Sequence, residues 1–374
     1  MSSAIGAGLR LLGPRSFRGR TPVVFRGHAP GPPGYGPRRM SRFRSHDEMA
    51  EAIGDARLAT YVLAPAVREW ELRALRLGDV LLQYGADGAP HVTTGRMLPA
   101  RVGFLVTGGA SAPRSCNGHV VDAASIFRWG SGAEVALLAR EPGDGWLLSA
   151  TPEAVARAAA SRGGGGGGKT PVPSGLVKAT PAGMAELREL FGEAEVAFER
   201  AGPAGLSAEA ARRLGETLLG AVVRLSCGES APGRPSRGPR VDRGRIVSRV
   251  EEVFAEAESR PLYLESLSEA LGVPERTLRL VFTEQYGAGP TRVLRCRRLC
   301  QAHRALLHAP AGARVAEIAG RCGFWHLGLF SSEYRALLGE LPSETLRRSS
   351  AGGRALVPPP GEWVPAPAAE AGTA

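Results

Sequence analysis

LESLSEALGVPERTLRLVFTEQYG (Leu264–Gly287) and VAEIAGRCGFWHLGLFSSEYRALLG (Val315–Gly339) write one small pattern twice: a short helix, a glycine turn, and a second helix with exposed polar residues. A helix presented beyond a tight turn is how many proteins place side chains in the major groove of duplex DNA. In the first copy Leu264, Leu267, Ala270 and Leu271 share one helical face, and Gly272 supplies the turn. Pro274 opens the next helix, where its missing N–H costs nothing. Leu278, Val281 and Phe282 are then expected inward. In the second copy Val315, Ile318 and Ala319 are expected inward, Gly323 makes the turn, and Phe324, Leu327 and Phe330 cement the two helices. The residues left over are the candidate DNA contacts: Glu275, Arg276, Thr277, Arg279 and Thr283 in the first copy, and Trp325, His326, Ser332 and Arg335 in the second. Arginine pairs bidentately with guanine, and serine or threonine serves base edges or phosphates. The competing reading is a generic helical bundle whose arginines only solvate its surface; a duplicated turn spacing speaks against it.

LGVPERTLRLVF, the GAGP of Gly287–Pro290, the RRL of Arg297–Leu299, AEIAGRCGFWHLGLFSSEYR and the closing GELPSETLRR together resemble the AraC/XylS transcriptional regulators, over roughly the last third of the chain. The resemblance implies two helix-turn-helix units joined by one long helix, here Pro290–His308, with Val293, Leu294, Leu299, Ala302, Leu306 and Leu307 packing both units against it. The two recognition helices would then enter successive major grooves, about 34 Å apart, on one face of the duplex. It also implies an activator working with RNA polymerase, and a cupin-like effector domain ahead of the DNA-binding part. Leu280 and Leu329 depart from the family's pattern of polar or basic residues on the recognition helices, Gly328 replaces a common serine, and Pro274 stands where an N-capping serine is usual. These departures suggest base reading by the first unit, through Arg276 and Arg279, and mainly backbone affinity from the second.

The formal charge of +11 favours a polyanionic partner. Yet residues 1–46 hold nine arginines and no acid, whereas 240–348 hold 17 arginines against 13 acids, a net of +4. Affinity for DNA must therefore rest on where the charges lie rather than on bulk attraction. Only Lys169 and Lys178 represent lysine, which reads as a coding bias toward arginine. Five scattered cysteines, an odd number, speak against a disulfide framework and for a reducing compartment. No apolar run is long enough to span a membrane, so a cytoplasmic location, bacterial in keeping with the resemblance, is expected. The arginine-rich opening is read as disorder, with an organellar transit peptide and a translation start at Met40 as alternatives.

Between 46 and 150 the pattern turns to short alternating runs: 68–77, 79–85, 101–109, 119–130 and 133–140. Period-two alternation broken by Gly, Pro and Asp predicts an antiparallel β sandwich or barrel with room for a small-molecule effector. Trp70, Phe104, Phe127 and Trp129, with Leu72, Val106 and Ile126, are its candidate pocket residues, plain core being the alternative for each. No catalytic group is assigned, since no nucleophile–base pair or paired carboxylates stand out. No cofactor or metal is assigned either, because His91 and His119 stand alone without an HxH pair.

Thr151, Thr180 and Ser207 are expected to cap helices that follow them, the second with Met184, Leu187, Phe191 and Phe198 on one side, the third with Leu214, Leu218, Val222 and Leu225 inward. These helices pack either on the β-domain or on a second subunit, so a homodimer stays open. Gly163–Thr170 satisfies the spacing of a phosphate-binding loop, but an alanine-rich helical segment precedes it and prolines follow, so it is read as a linker. Cys296, Cys300 and His303 share a helical face and are geometrically able to bind a metal, but no fourth ligand of suitable spacing is evident, and packing is the simpler role.

The expected fold is α+β and multidomain: a basic segment over 1–45; an antiparallel, cupin-like β-domain over 46–150; a helical segment with a Gly-rich linker over 151–240, ending in a hinge at 231–244; an all-α domain with two helix-turn-helix units over 241–348; and a tail over 349–374. The expected function is sequence-specific binding of promoter DNA under an unidentified effector. A purely dimerising or an enzymatic N-terminal module is the alternative.

Overall fold

A computed structural model describes residues 41–160, 173–201, 206–226, 243–257 and 261–350. Residues 1–40 of the arginine-rich opening, the glycine tract, residues 231–242 of the expected hinge and residues 351–374 of the expected tail lie outside these residues; the end of the opening is not disordered as expected, since Ser41–Phe43 is a strand, while 243–244 of the hinge and 349–350 of the tail are helical. Two antiparallel sheets form the N-terminal part. The larger has the order β1-β3-β4-β11-β6-β9-β12, built from β1 (Ser41–Phe43), β3 (Trp70–Leu77), β4 (Val80–Ala86), β6 (Val102–Thr107), β9 (Ser125–Trp129), β11 (Asp144–Ala150) and β12 (Gly175–Lys178). The smaller runs β2-β5-β10-β7-β8, from β2 (Ala56–Val62), β5 (His91–Met97), β7 (Arg114–Cys116), β8 (His119–Val121) and β10 (Glu134–Ala139). The five alternating runs all become strands, though 119–130 breaks into β8 and β9 at an Asp122–Ser125 turn closed by the serine hydroxyl.

Alternation decides what each face of the large sheet meets. Leu105, Phe127 and Trp129 face the smaller sheet and pack with Met97, Val121 and Leu137. Phe104, Val106 and Ile126 point the other way, into a core with Met184, Leu187, Phe191, Leu218 and Val222. Those residues belong to α3 (Pro181–Arg200) and α4 (Ala208–Ser226), which, with α2 (Pro152–Ala160), therefore cover the outer face of the sheet. The three expected caps form: Thr151, Thr180 and Ser207 each accept from the backbone N–H three residues on, at 3.2 Å. Within the stretch read as helical, β12 pairs with β9 at the sheet edge.

Among the described residues, the regular structure of the C-terminal part is helical: α5 (Arg243–Glu256), α6 (Leu264–Leu271), α7 (Glu275–Tyr286), α8 (Pro290–Leu307), α9 (Val315–Arg321), α10 (Leu327–Leu338) and α11 (Pro342–Ser350). Helices α6–α7 and α9–α10 are the two expected helix-turn-helix units, and α8 is the expected connecting helix, with His308 as its C-cap. Gly272 and Gly323 have φ of 63° and 79°, the left-handed conformation each turn requires. Leu278, Val281, Phe282, Ile318, Ala319, Phe324 and Phe330 are buried as expected. Leu327 is not: it is 44% exposed at the first position of α10, and Phe330 and Tyr334 carry that contact instead.

Among the described residues, the two parts share one packed core. A short helix, α1 (His46–Ala52), precedes β2, and α8 lies against β2. One continuous core runs from Met49, Tyr61, Leu63 and Trp70 of the β-domain to Phe254, Phe282 and Leu299 of the helical part.

Candidate nucleic-acid interface and sensor cavity

Arg276, Arg279 and Thr283 stand exposed on α7, with Glu275 and Thr277 half-buried beside them. On the second unit Trp325, His326, Ser332 and Arg335 are all exposed. The two arginines of α7 differ in state. Arg279 donates to Glu275 at 2.8 Å, one turn back along the helix, so its charge is already partnered. Arg276 is exposed and has no ion-pair partner among the described residues. Thr283, exposed, donates its hydroxyl to the Arg279 carbonyl at 2.8 Å.

The buried side chains set the equivalence of the two reading helices. Leu278 and Phe282 in the first occupy the places of Phe330 and Tyr334 in the second, so Thr277 matches Leu329, Leu280 matches Ser332 and Thr283 matches Arg335. Arginines of α8 hold both units. Arg297, buried, donates to the carbonyls of Phe254 and Ala257 at 2.8 and 2.6 Å and satisfies the end of α5. The guanidinium of Arg298 lies 4.7 Å from the Tyr263 ring centre and 5.3 Å from that of Phe324, bridging the first unit to the turn of the second. Arg295 pairs with Glu333 at 2.6 Å, linking α8 to α10. Several of the domain's 17 arginines thus hold its framework.

Between the two sheets lies a cavity of about 110 Å³. Trp70, Trp129 and Met49 give it apolar walls, and His46, His91, Asp87 and Arg114 give it a polar side. Arg114 and Asp87 form a buried ion pair at 2.7 Å. His91 Nδ1 is 3.0 Å from the Ala89 carbonyl, and burial holds its pKa low, so the ring is neutral with its Nδ1–H donating. Of the four expected pocket residues, Trp70 and Trp129 line this cavity. Phe127 packs beside it against Trp129, with ring centres 4.9 Å apart. Phe104 does not belong to it: strand alternation turns that ring to the opposite face, under α3 and α4. His46, Asp87 and Arg114 escaped the sequence reading because nothing in a run of isolated polar residues shows that three elements bring them together.

His46 joins the cavity to the helical part. Its ring stacks on that of His303 in α8, with centres 5.6 Å apart. The neighbouring Asp47, fully buried, meets His303 Nδ1 at 2.7 Å and accepts from Arg304 at 2.8 and 3.0 Å. Burial alone would raise the Asp47 carboxyl, but the charges of His46 and Arg304 and the hydrogen bond from His303 hold it well below the usual carboxylate range. Burial opposes a charge on His303 as well, yet hydrogen bonds to Asp47 and Glu340 raise its pKa to about 8. His46 is driven to about 4 by burial, so near neutral pH the stacked pair carries one positive charge, on His303. His303 Nε2 lies 3.5 Å from Glu340, which also takes Arg348 at 2.5 and 2.9 Å. His46, Asp47 and His303 are the one group of three potential metal ligands among the described residues. Their carboxylate is already engaged by a guanidinium and an imidazolium, which explains the cluster as an ion-pair network. Cys296 and Cys300 form no ligand set with His303, and burial raises both thiols.

A tandem helix-turn-helix module carried against a two-sheet domain with an internal cavity defines a DNA-binding regulator by architecture. A helix-turn-helix domain family matches residues 267–348. The chain is 34% identical over 127 residues to the XylDLEGF operon transcriptional activator 2 of Pseudomonas putida, covering 33% of this chain and 80% of that protein. It is 38% identical over 103 residues to the probable thc operon regulatory protein of Rhodococcus erythropolis, covering 27% of this chain and 31% of the other. Among solved structures, the AraC-like transcriptional activator CuxR aligns with 71% of this chain and 95% of its own at 15% identity and a TM-score of 0.35. The chain belongs to the AraC/XylS family of transcription regulators. It spans about a third of the length of several of the relatives it matches. Among the described residues, no helix is long and apolar enough to cross a membrane.

Proposed function

We propose that the protein binds promoter DNA sequence-specifically through α7 and α10, activates transcription with RNA polymerase as partner, and is controlled by a small molecule in the intersheet cavity. The observation that supports this most is the pair of exposed reading faces fixed to one connecting helix. The word activator comes from the relatives' names, and no catalytic constellation around the cavity favours an enzyme. Control follows a short path. A ligand that shifts α1 by displacing His46 also shifts Asp47, and with it His303 and Arg304 on the helix that joins both readers. A ligand preferring one arrangement of α1 changes the population able to hold two half-sites together.

Selection of binding sequences from random duplex by the full-length protein, at about 150 mM salt, tests the DNA-binding reading. A recovered motif with two half-sites supports it, and the absence of any enriched sequence refutes it. A thermal-shift screen tests the cavity: a true effector raises the melting temperature with concentration, and Trp129→Ala removes that response.

A further inference from the structure

Eight large apolar side chains stand exposed among the described residues, and four of them lie on the two reading segments: Leu280 at 48%, Trp325 at 80%, Leu327 at 44% and Leu329 at 51% exposure. A scatter of single exposed apolar residues needs no explanation, but a concentration on the surfaces that would face DNA does. None of the four is required for packing, since Phe324, Phe330 and Tyr334 already close the second unit and Leu278, Val281 and Phe282 close the first. Resting on the DNA-binding reading above, we infer that the protein recognises thymine through its 5-methyl group, with Leu329 the chief apolar reader in the second unit and Leu280, at a different helical position, in the first.

The chemistry leaves few alternatives. An alkyl side chain neither donates nor accepts hydrogen bonds. The apolar feature that base pairs present in the major groove is the thymine methyl, which distinguishes T·A from every other pair. Leu329 and Ser332 lie three residues apart and so share one face of α10, as do Arg276 and Leu280 on α7. Each unit therefore sets a polar reader beside an apolar one on the same face, in opposite order along the helix: Arg276 then Leu280 in the first, Leu329 then Ser332 in the second. Gly328, with no Cβ, leaves open space beside Leu329, and nothing would crowd an added atom there. The second unit is in this view a sequence reader in its own right, not the backbone clamp that the loss of polar residues from its helix suggests.

The test starts from the sequence recovered by selection with the full-length protein and replaces each thymine by deoxyuridine in turn, which removes one methyl and nothing else. Wild-type affinity should fall roughly three- to fivefold at one or more thymines in each half-site, the scale of losing one buried methyl. Leu329→Ala should lose that sensitivity in one half-site while keeping it in the other, and Leu280→Ala should do the reverse. Because both leucines are exposed, the variants should melt with the parent, which circular dichroism verifies. If a specific site is recovered and no deoxyuridine substitution changes affinity, or if both variants keep the full penalty, the inference is overturned although the DNA-binding function stands. If no sequence is enriched, the DNA-binding reading fails and this inference falls with it.

Discussion

The carboxylate of Asp47 lies 2.7 Å from Nδ1 of His303, although 256 residues separate them in the chain. One belongs to the helix that borders the cavity, the other to the middle of the helix that joins the two DNA-reading units. Both are buried, so neither charge has water as an alternative partner.

Breaking that pair should cost stability. Asp47→Ala leaves His303 and Arg304 facing an apolar gap, and loss of one partner from a buried pair costs about 3–5 kcal/mol. Urea denaturation should show a loss of this order. Arg304→Ala, at a half-buried position, should cost less.

Stability should also depend on pH through His303. Its partners are Asp47, Arg304 and His46 on one side and Glu340 with the Tyr334 ring on the other, with Cys300 one turn away on α8. A pKa raised from 6.5 to about 8 contributes stability that is fully present below about pH 6.5 and is lost as pH rises through 8. The scale is on the order of 2 kcal/mol. His46, lowered to about 4, acts oppositely and removes stability as pH falls below 6.5. Urea midpoints measured from pH 5 to 9 should therefore peak near 6.5, and His303→Gln should flatten the alkaline limb.

The two arginines of α7 should behave differently toward DNA. Arg276→Ala should cost about 1–3 kcal/mol of binding to the selected site and relax discrimination at one base pair. Arg279→Ala should cost less, since its guanidinium is already engaged by Glu275 and must give up that pair to reach a base. Equal losses measured by fluorescence anisotropy would contradict this ordering.

Core and cavity should separate under mutation. Phe104→Ala should destabilise by about 3–5 kcal/mol and leave ligand-induced melting shifts unchanged. Trp129→Ala should abolish those shifts.

The sequence made the helical domain legible because its signals are local. A left-handed glycine at 272 and 323, apolar residues at helical spacing and a proline at the start of α8 each act within a few residues. The β-domain was legible as a class through alternation, but which face met which partner was not. Phe104 and Phe127 look alike in the sequence and lie on opposite sides of one sheet, because only the register of β6 against β9 and the docking of α3 decide the matter. Leu327 lies outward for a similar reason: its apolar spacing does not mark where α10 begins, and one residue of displacement turns a side chain by about 100°. The Asp47–His303 contact was beyond reach, since an acid after a histidine near the start of a domain carries no mark of a partner 256 residues away.

The central claim is that one rigid connecting helix makes two units read one face of the duplex. Affinity for the selected site should be compared with that for the same site carrying about 5 extra base pairs between its half-sites, half a helical turn. The account predicts a fall to the level of random duplex, because the second half-site then faces away from its reader. Affinity unchanged by the insertion would contradict it.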